Sequence, residues 1–287
     1  MTEIVVAHRC VVGEGPLWSV RDGLLYWLDI PEQRLWRFDP TSGATASRPL
    51  SDVVGSIGVR AAGGLVAATR NGFAALRPDT GELSGICDPE PDLPQHYFND
   101  GKVDPAGRFW AGTLNDGPPT ATGTLWRLDA DHGCQPMRRG VICPNGLGWS
   151  PDARVMYFTD SRRHTIFAFD FDVESGRIGN ERVFASVTPP ADPDGLCVDA
   201  EGCVYSAQWG GGQVVRYDPT GRMVGTIPVP TPLVTSVALG GSDLRTLFIT
   251  TASIGLGAAE LAADPAAGAL LAVAVDTPGR PEPMFAG

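Results

Sequence analysis

A short register recurs six times along this chain: a leading residue, an apolar residue four positions on, usually a small or polar residue next, and a turn closing about eight positions on. The leaders are Glu14, Gly55, Asn99, Asn145, Asp194 and Thr235. Glu14 leads Trp18, Ser19 and the turn Asp22-Gly23, and Asn99 leads Val103, Asp104 and Gly107. Asn145 leads Trp149, Ser150 and Pro151-Asp152-Ala153, while Asp194 leads Val198, Asp199 and Gly202. Gly55 leads Val59 and Gly63, and Thr235 leads the looser Leu239, Gly240 and Asp243. Successive leaders stand 41, 44, 46, 49 and 41 residues apart (55−14, 99−55, 145−99, 194−145, 235−194), the period of a propeller blade or a similar repeat. If such repeats close into a ring, equivalent positions converge on one axis. Packing alone gives no reason to set two carboxylates and two amides there.

Between the leaders lie short runs rich in aromatic and β-branched residues, among them 24–30, 35–38, 65–68, 108–112, 124–128, 155–159, 165–169, 203–207, 213–217, 246–250 and 270–275. No run holds a helical period. Each unit ends in a turn such as Asp39-Pro40-Thr41-Ser42-Gly43 or Asp218-Pro219-Thr220-Gly221, where Pro fixes φ and Asp and Gly accept the turn dihedrals. Six leaders and six terminal turns predict an all-β, six-bladed β-propeller formed as a single domain over 1–287, since radial repetition of small sheets leaves no long exposed edge. The apolar run Ile4 to Ala7 precedes the first leader and has no partner in its own unit. It is expected to join the last blade and close the ring. The Ala-rich stretch 255–268 reads as an ordered excursion with one helical turn.

Composition narrows the partners. A net charge of −11 and a pI near 4.7, with no dense basic cluster, disfavour nucleic acid. The longest apolar stretches are too short to span a bilayer, so no membrane segment is expected. The N-terminus lacks a basic start followed by an apolar run, so a cytoplasmic location is expected. A monomer is the expected state. The six cysteines, Cys10, Cys87, Cys134, Cys143, Cys197 and Cys203, show no C-x-x-C pair and are expected as reduced, mostly buried thiols.

An axial set of Glu14, Asp194, Asn145 and Asn99 suits a hard divalent cation. Two ionised carboxylates facing each other would repel by about 4 kcal/mol at 4 Å and an effective dielectric of 20, and without a cation one would take up a proton. All-oxygen ligation favours calcium, magnesium or manganese, and zinc and ferrous iron also accept carboxylate oxygens. The four histidines fall off the register; His96, three residues before Asn99, is the one placed to reach a pocket mouth. Hydrolysis is the natural reaction class for such a centre, with Asp194 as a candidate for proton transfer.

The segments Gly13-Glu14-Gly15-Pro16-Leu17-Trp18, Phe98-Asn99-Asp100-Gly101-Lys102-Val103-Asp104, Pro144-Asn145-Gly146-Leu147 and Pro193-Asp194-Gly195-Leu196-Cys197-Val198-Asp199 resemble the signature segments of a known family. That family is senescence marker protein-30 (regucalcin), gluconolactonase and sugar lactonase. The resemblance runs through nearly the whole chain and implies a six-bladed propeller with one divalent cation held by Glu14, Asn145 and Asp194. It also implies Asp194 as proton donor or acceptor, Asn99 against the substrate, and hydrolysis of an aldonolactone to its sugar acid.

Two positions depart from the gluconolactonase-type animal members: Tyr97 stands where they carry Arg, and Gly117, beside Asp116, where they carry a substrate-contacting Glu. Tyr offers one hydroxyl and an apolar face in place of a guanidinium fork. The substrate side is therefore assigned to Asn99, Tyr97, Asp100, Asp116 and Trp209, with Asp116 placed by adjacency alone and Trp209 as a pocket wall or a packing residue. The expected function is metal-dependent hydrolysis of a small-molecule sugar lactone. The alternatives are another ester, lactone or phosphotriester hydrolase on the same platform, and a non-enzymatic calcium-binding propeller.

Overall fold

The computed structural model describes residues 1–287 as six four-stranded antiparallel sheets. Each unit of the register is one blade. The innermost strands are Gly13–Ser19, Val54–Val59, His96–Val103, Pro144–Trp149, Asp192–Val198 and Val234–Gly240, so every leader lies near the start of an innermost strand. Blades one to five run outward in chain order. Blade six is assembled from both ends of the chain: Glu3–Val6 pairs with Leu270–Ala274 as its outer strand. The expected ring closure is present, and the excursion 255–268 holds the single α-helix, Ala258–Ala263.

Apolar residues from facing sheets interlock between blades. One cluster joins Leu17, Tyr26 and Leu28 of blade one to Val54, Ile57 and Leu65 of blade two, and another joins Trp110 and Leu125 of blade three to Trp149 and Phe158 of blade four. Trp18, Trp110 and Trp149 are core residues, as their position inside strands implies for large aromatic side chains. The Asp following a leader by five works as a turn acceptor. Asp104 takes the Ala106 and Arg108 amides together with Arg108 Nε at 2.6 Å and Trp110 Nε1 at 2.9 Å. Arg108 then reaches across to the Val173 carbonyl of blade four at 2.8 Å.

The outermost strands of blades two and three, Glu82–Cys87 and Cys134–Val141, meet at a Cys87–Cys134 disulfide. This corrects the expectation of six thiols; Cys10, Cys143, Cys197 and Cys203 are free. Spacing along the chain could not show the pairing, because the two cysteines belong to different blades. The underside of the ring is crossed by the C-terminal segment. The Phe285 amide donates to Val59 O at 2.7 Å, Phe285 O accepts from the Ala61 amide, and the Phe285 ring is fully buried. No helix of the fold is long and apolar enough to cross a membrane.

Removing residues 1–8 deletes the outer strand of blade six, with the buried Val6, and exposes the edge of Leu270–Ala274. Loss of one buried valine and a row of ladder hydrogen bonds amounts to about 3 kcal/mol or more, or about 6 °C or more in melting temperature for a domain of this size. A thermal melt of the truncated chain that matches the full chain would sink the closure role.

Candidate metal centre at the propeller axis

Each innermost strand breaks register at its leader. The ladder shifts between Glu14 and Leu17, Val54 and Ser56, Phe98 and Gly101, Asn145 and Leu147, Pro193 and Leu196, and Val234 and Ser236. A bulge removes a residue from the ladder and re-aims its side chain. Six equivalent bulges therefore turn the leaders toward one another at the face where the innermost strands begin. Gly15, at φ +54°, completes the first of them in a left-handed conformation that favours glycine, and its amide donates to Glu14 Oε2 at 2.9 Å.

Glu14, Asn145 and Asp194 are buried side by side in this way. Asn99 Nδ2 donates to Asn145 Oδ1 at 3.0 Å and to the Pro144 carbonyl at 2.8 Å, which fixes both amides. Asn145 Nδ2 donates to Ser161 Oγ at 2.8 Å, and Ser161 in turn donates to the Pro193 carbonyl at 2.6 Å, one residue before Asp194. Ser161 was missed in the sequence because it lies outside the register, in the turn after the second strand of blade four. By holding Asn145 Nδ2, it leaves Asn145 Oδ1 directed to the axis.

The charge at the axis is uncompensated. Burial, reinforced by the negative charge of Asp100, raises Glu14 to about 8. Burial also lifts Asp194 well above the carboxylate range, with Glu14, Asp100 and Asp192 adding to it. Asp194 Oδ1 is buried without a hydrogen-bond donor. Two buried carboxylates, an orphaned carboxylate oxygen and an amide oxygen held in place are a donor set suited to a divalent cation. Glu14, Asn145 and Asp194 could hold it. Cys143, beside them, is pushed up to about 12 by burial and by Asp194, so it stays a neutral thiol rather than a nucleophile.

The structure separates the residues assigned to the substrate side. Asn99 touches the axial set directly. Tyr97 and Asp116 stand together on the same face through Arg70, whose guanidinium carbon lies 5.0 Å from the Tyr97 ring centroid and whose Nη2 donates to Asp116 Oδ2 at 2.9 Å. Trp209 is half-buried at the rim, paired with Asp192 and bridged to Leu233. Asp100 lies close enough to the axial carboxyls to raise both, is itself raised to about 6 by burial, and lines a cavity of about 20 Å³ in the axial channel, room for a single water, with Lys102 and Glu282. Lys102, the single lysine of the chain, pairs with Glu282 of the C-terminal segment at 3.2 Å. His96 does not reach the mouth. It bonds Glu90 Oε2 at 2.8 Å and Thr122 at 3.2 Å in a network with Thr113 and Trp126 that anchors the loop before blade three.

A sequence profile of the SMP-30/gluconolactonase/LRE-like region matches residues 12–253. The chain belongs to that family. It is 41% identical to a 6-deoxy-6-sulfogluconolactonase of Pseudomonas putida, covering 99% of this chain and 98% of the relative. It is 39% identical to a pentonolactonase of Haloferax volcanii, over 97% and 96% of the two chains. Its fold superposes on the crystal structure of a calcium-binding protein, regucalcin, from Agrobacterium tumefaciens with a TM-score of 0.94 at 27% identity, covering 99% and 97%.

Because the axial carboxyls hold protons to higher pH in the folded chain than in the unfolded one, the folded state binds more protons between about pH 4 and pH 8. Stability with cations chelated therefore falls as pH rises through that window. The chelated protein should melt at a lower temperature at pH 8 than at pH 6, and added calcium should narrow the gap. Equal melting temperatures at the two pH values would show that the axial carboxyls do not control stability.

Proposed function

We propose that the chain is a sugar lactonase, hydrolysing an aldonolactone to its sugar acid at the axial site. The observation that carries this reading is the convergence of Glu14, Asn145 and Asp194, buried and without a compensating cation from the protein, in a member of a family that includes two named sugar lactonases. A divalent cation held by those three side chains would act as a Lewis acid on the lactone carbonyl, worth several kcal/mol of barrier. Calcium is the first ion to test, given the regucalcin neighbour.

The chain's own residues supply position and proton movement. The ring's underside is closed by the C-terminal segment, with Glu282 tied to Lys102 in the channel, so substrate approaches from the face that carries the leaders. Asn99 keeps its amide on Asn145 and leaves its own carbonyl oxygen for a sugar hydroxyl. Asp194 takes the proton of the attacking water and returns it to the ring oxygen as the acyl C–O bond breaks, giving the acid and the freed hydroxyl. Tyr97 offers the lactone ring an apolar face.

Proton release should exceed the spontaneous rate on at least one C5 or C6 aldonolactone, be lost with chelator and return with calcium, magnesium, manganese or zinc. Asp194→Asn should lower kcat by about 10²–10⁴-fold with the melting curve preserved in the metal-free state. A chelator-insensitive rate on every lactone, or an Asp194→Asn variant with most of its activity, would move the reading to another hydrolase or to a structural cation.

A further inference from the structure

The residue that occupies the animal family's arginine position is Tyr97, but a guanidinium is still present there. It arrives from another blade. Arg70 stands in the turn between the second and third strands of blade two, Leu65–Thr69 and Gly72–Arg77, on the same face as the axial leaders. Its backbone amide donates to Val53 O at 2.9 Å, which fixes the turn, and its side chain crosses to blade three. There it lies over the Tyr97 ring, two residues from Asn99, and donates to Asp116 from Nη2 alone. Nε and Nη1 have no protein partner, and about a third of the side chain (35%) is exposed.

A guanidinium carries five N–H donors in a planar fork, matched to the paired oxygens of a carboxylate, sulfonate or phosphate. The Arg70–Asp116 contact is a single hydrogen bond to a carboxylate that is itself 52% exposed. A half-exposed pair of that kind is weak, so an incoming anion can compete for the fork. A second guanidinium, Arg162, stands on blade four beside Ser161, the residue that holds Asn145, and is likewise held by one contact, to Asp192 at 3.3 Å. Both arginines stand in turns on the face that carries Glu14 and Asp194, in a chain of net charge −11. Neutral hydroxyls gain little from such a fork. An anionic group needs it, because the rest of the protein repels negative charge.

We infer that Arg70, stacked on Tyr97, is a specificity-determining residue of this site and that the favoured lactone carries an anionic group on the carbon farthest from its carbonyl. This deepens the lactonase reading and rests on it for the identity of the reacting group. The arrangement sets the lactone carbonyl at the axis, the ring against Tyr97 and the anionic end on the Arg70 fork, with Asp116 displaced toward solvent.

The test compares two lactones of the same ring, one ending in a hydroxymethyl group and one in a carboxylate, with the calcium-loaded enzyme. The wild type should prefer the anionic lactone, and Arg70→Gln should lower the anionic-to-neutral ratio of kcat/KM by about tenfold or more, chiefly through KM. Arg70→Lys should keep part of the preference, and added salt should reduce it in the wild type. If Arg70→Gln lowers both substrates equally, Arg70 is a brace for Tyr97 and the inference is overturned, as it is if the wild type prefers the neutral lactone. Calorimetric binding of the anionic sugar acid to wild type and Arg70→Gln separates this from the lactonase reading. Binding that depends on Arg70 without turnover of any lactone would leave the inference standing and remove the proposed reaction, whereas absence of such binding removes the inference.

Discussion

The innermost strands meet around the axis so closely that side chains have to be absent where they touch. A Cβ on Gly55 would stand 2.5 Å from the Asn99 carbonyl oxygen, one on Gly101 would stand 2.6 Å from Ser56 Oγ, and one on Gly146 would stand 2.7 Å from the Asp194 carbonyl oxygen. Real Cβ atoms essentially never come so near, so blade two is locked against blade three, and blade four against blade five, at the inner edge. The bulges lie at the same inner edge, and each takes a leader out of the ladder. Glu14, Asn145 and Asp194 are therefore brought together by ring closure itself, and their mutual repulsion is a cost of that geometry that a divalent cation would remove.

The same contact explains why the two leaders without an oxygen ligand open no space. Gly55 has no side chain, and its backbone packs on the backbone of Phe98 and Asn99. Thr235 is fully buried, and its hydroxyl is used up by the Gly13 carbonyl and Thr250 Oγ1. Asymmetry around the axis is thus an asymmetry of chemistry rather than of room. Approach to the centre is decided above the ring, by the turns that end the second strand of each blade.

The register made the blade count, the ring closure and the axial residues legible, because each depends on apolar periodicity or on a residue type that packing does not explain. The outermost strands were not legible. Glu82–Cys87 and Met223–Pro228 are largely exposed and carry no alternating apolar face, so their sequence has no strand signature and their pairing comes only from the neighbour they extend. The place of His96 was not legible for a related reason. It stands near Asn99 at a position of ordinary composition, and only its bonds to Glu90 and Thr122 turn it into the loop rather than the mouth. Ser161, Arg70 and the Lys102–Glu282 pair join segments 16 or more residues apart in different repeats or strands. A one-dimensional pattern has no term for contacts of that kind.

The two ends of the axis have different jobs, and the sequence divides along the same line. Below the leaders, Lys102 pairs with Glu282 and the buried Phe285 ring closes the underside of the ring. Above them, the rim is built from turns whose lengths and residues are free of the repeat, including the Thr69-Arg70-Asn71 turn and the loop that carries Asp116. Substitution on the rim leaves the inner-strand contacts untouched, whereas substitution of a leader or of the glycine beside it disturbs the ring. Tyr97 stands at the junction: its backbone pairs with Leu114 inside blade three, and its ring faces Arg70. The rim can in this way be re-equipped while the inner strands stay fixed, since the Tyr97 ring of one blade provides the surface on which another blade's guanidinium rests.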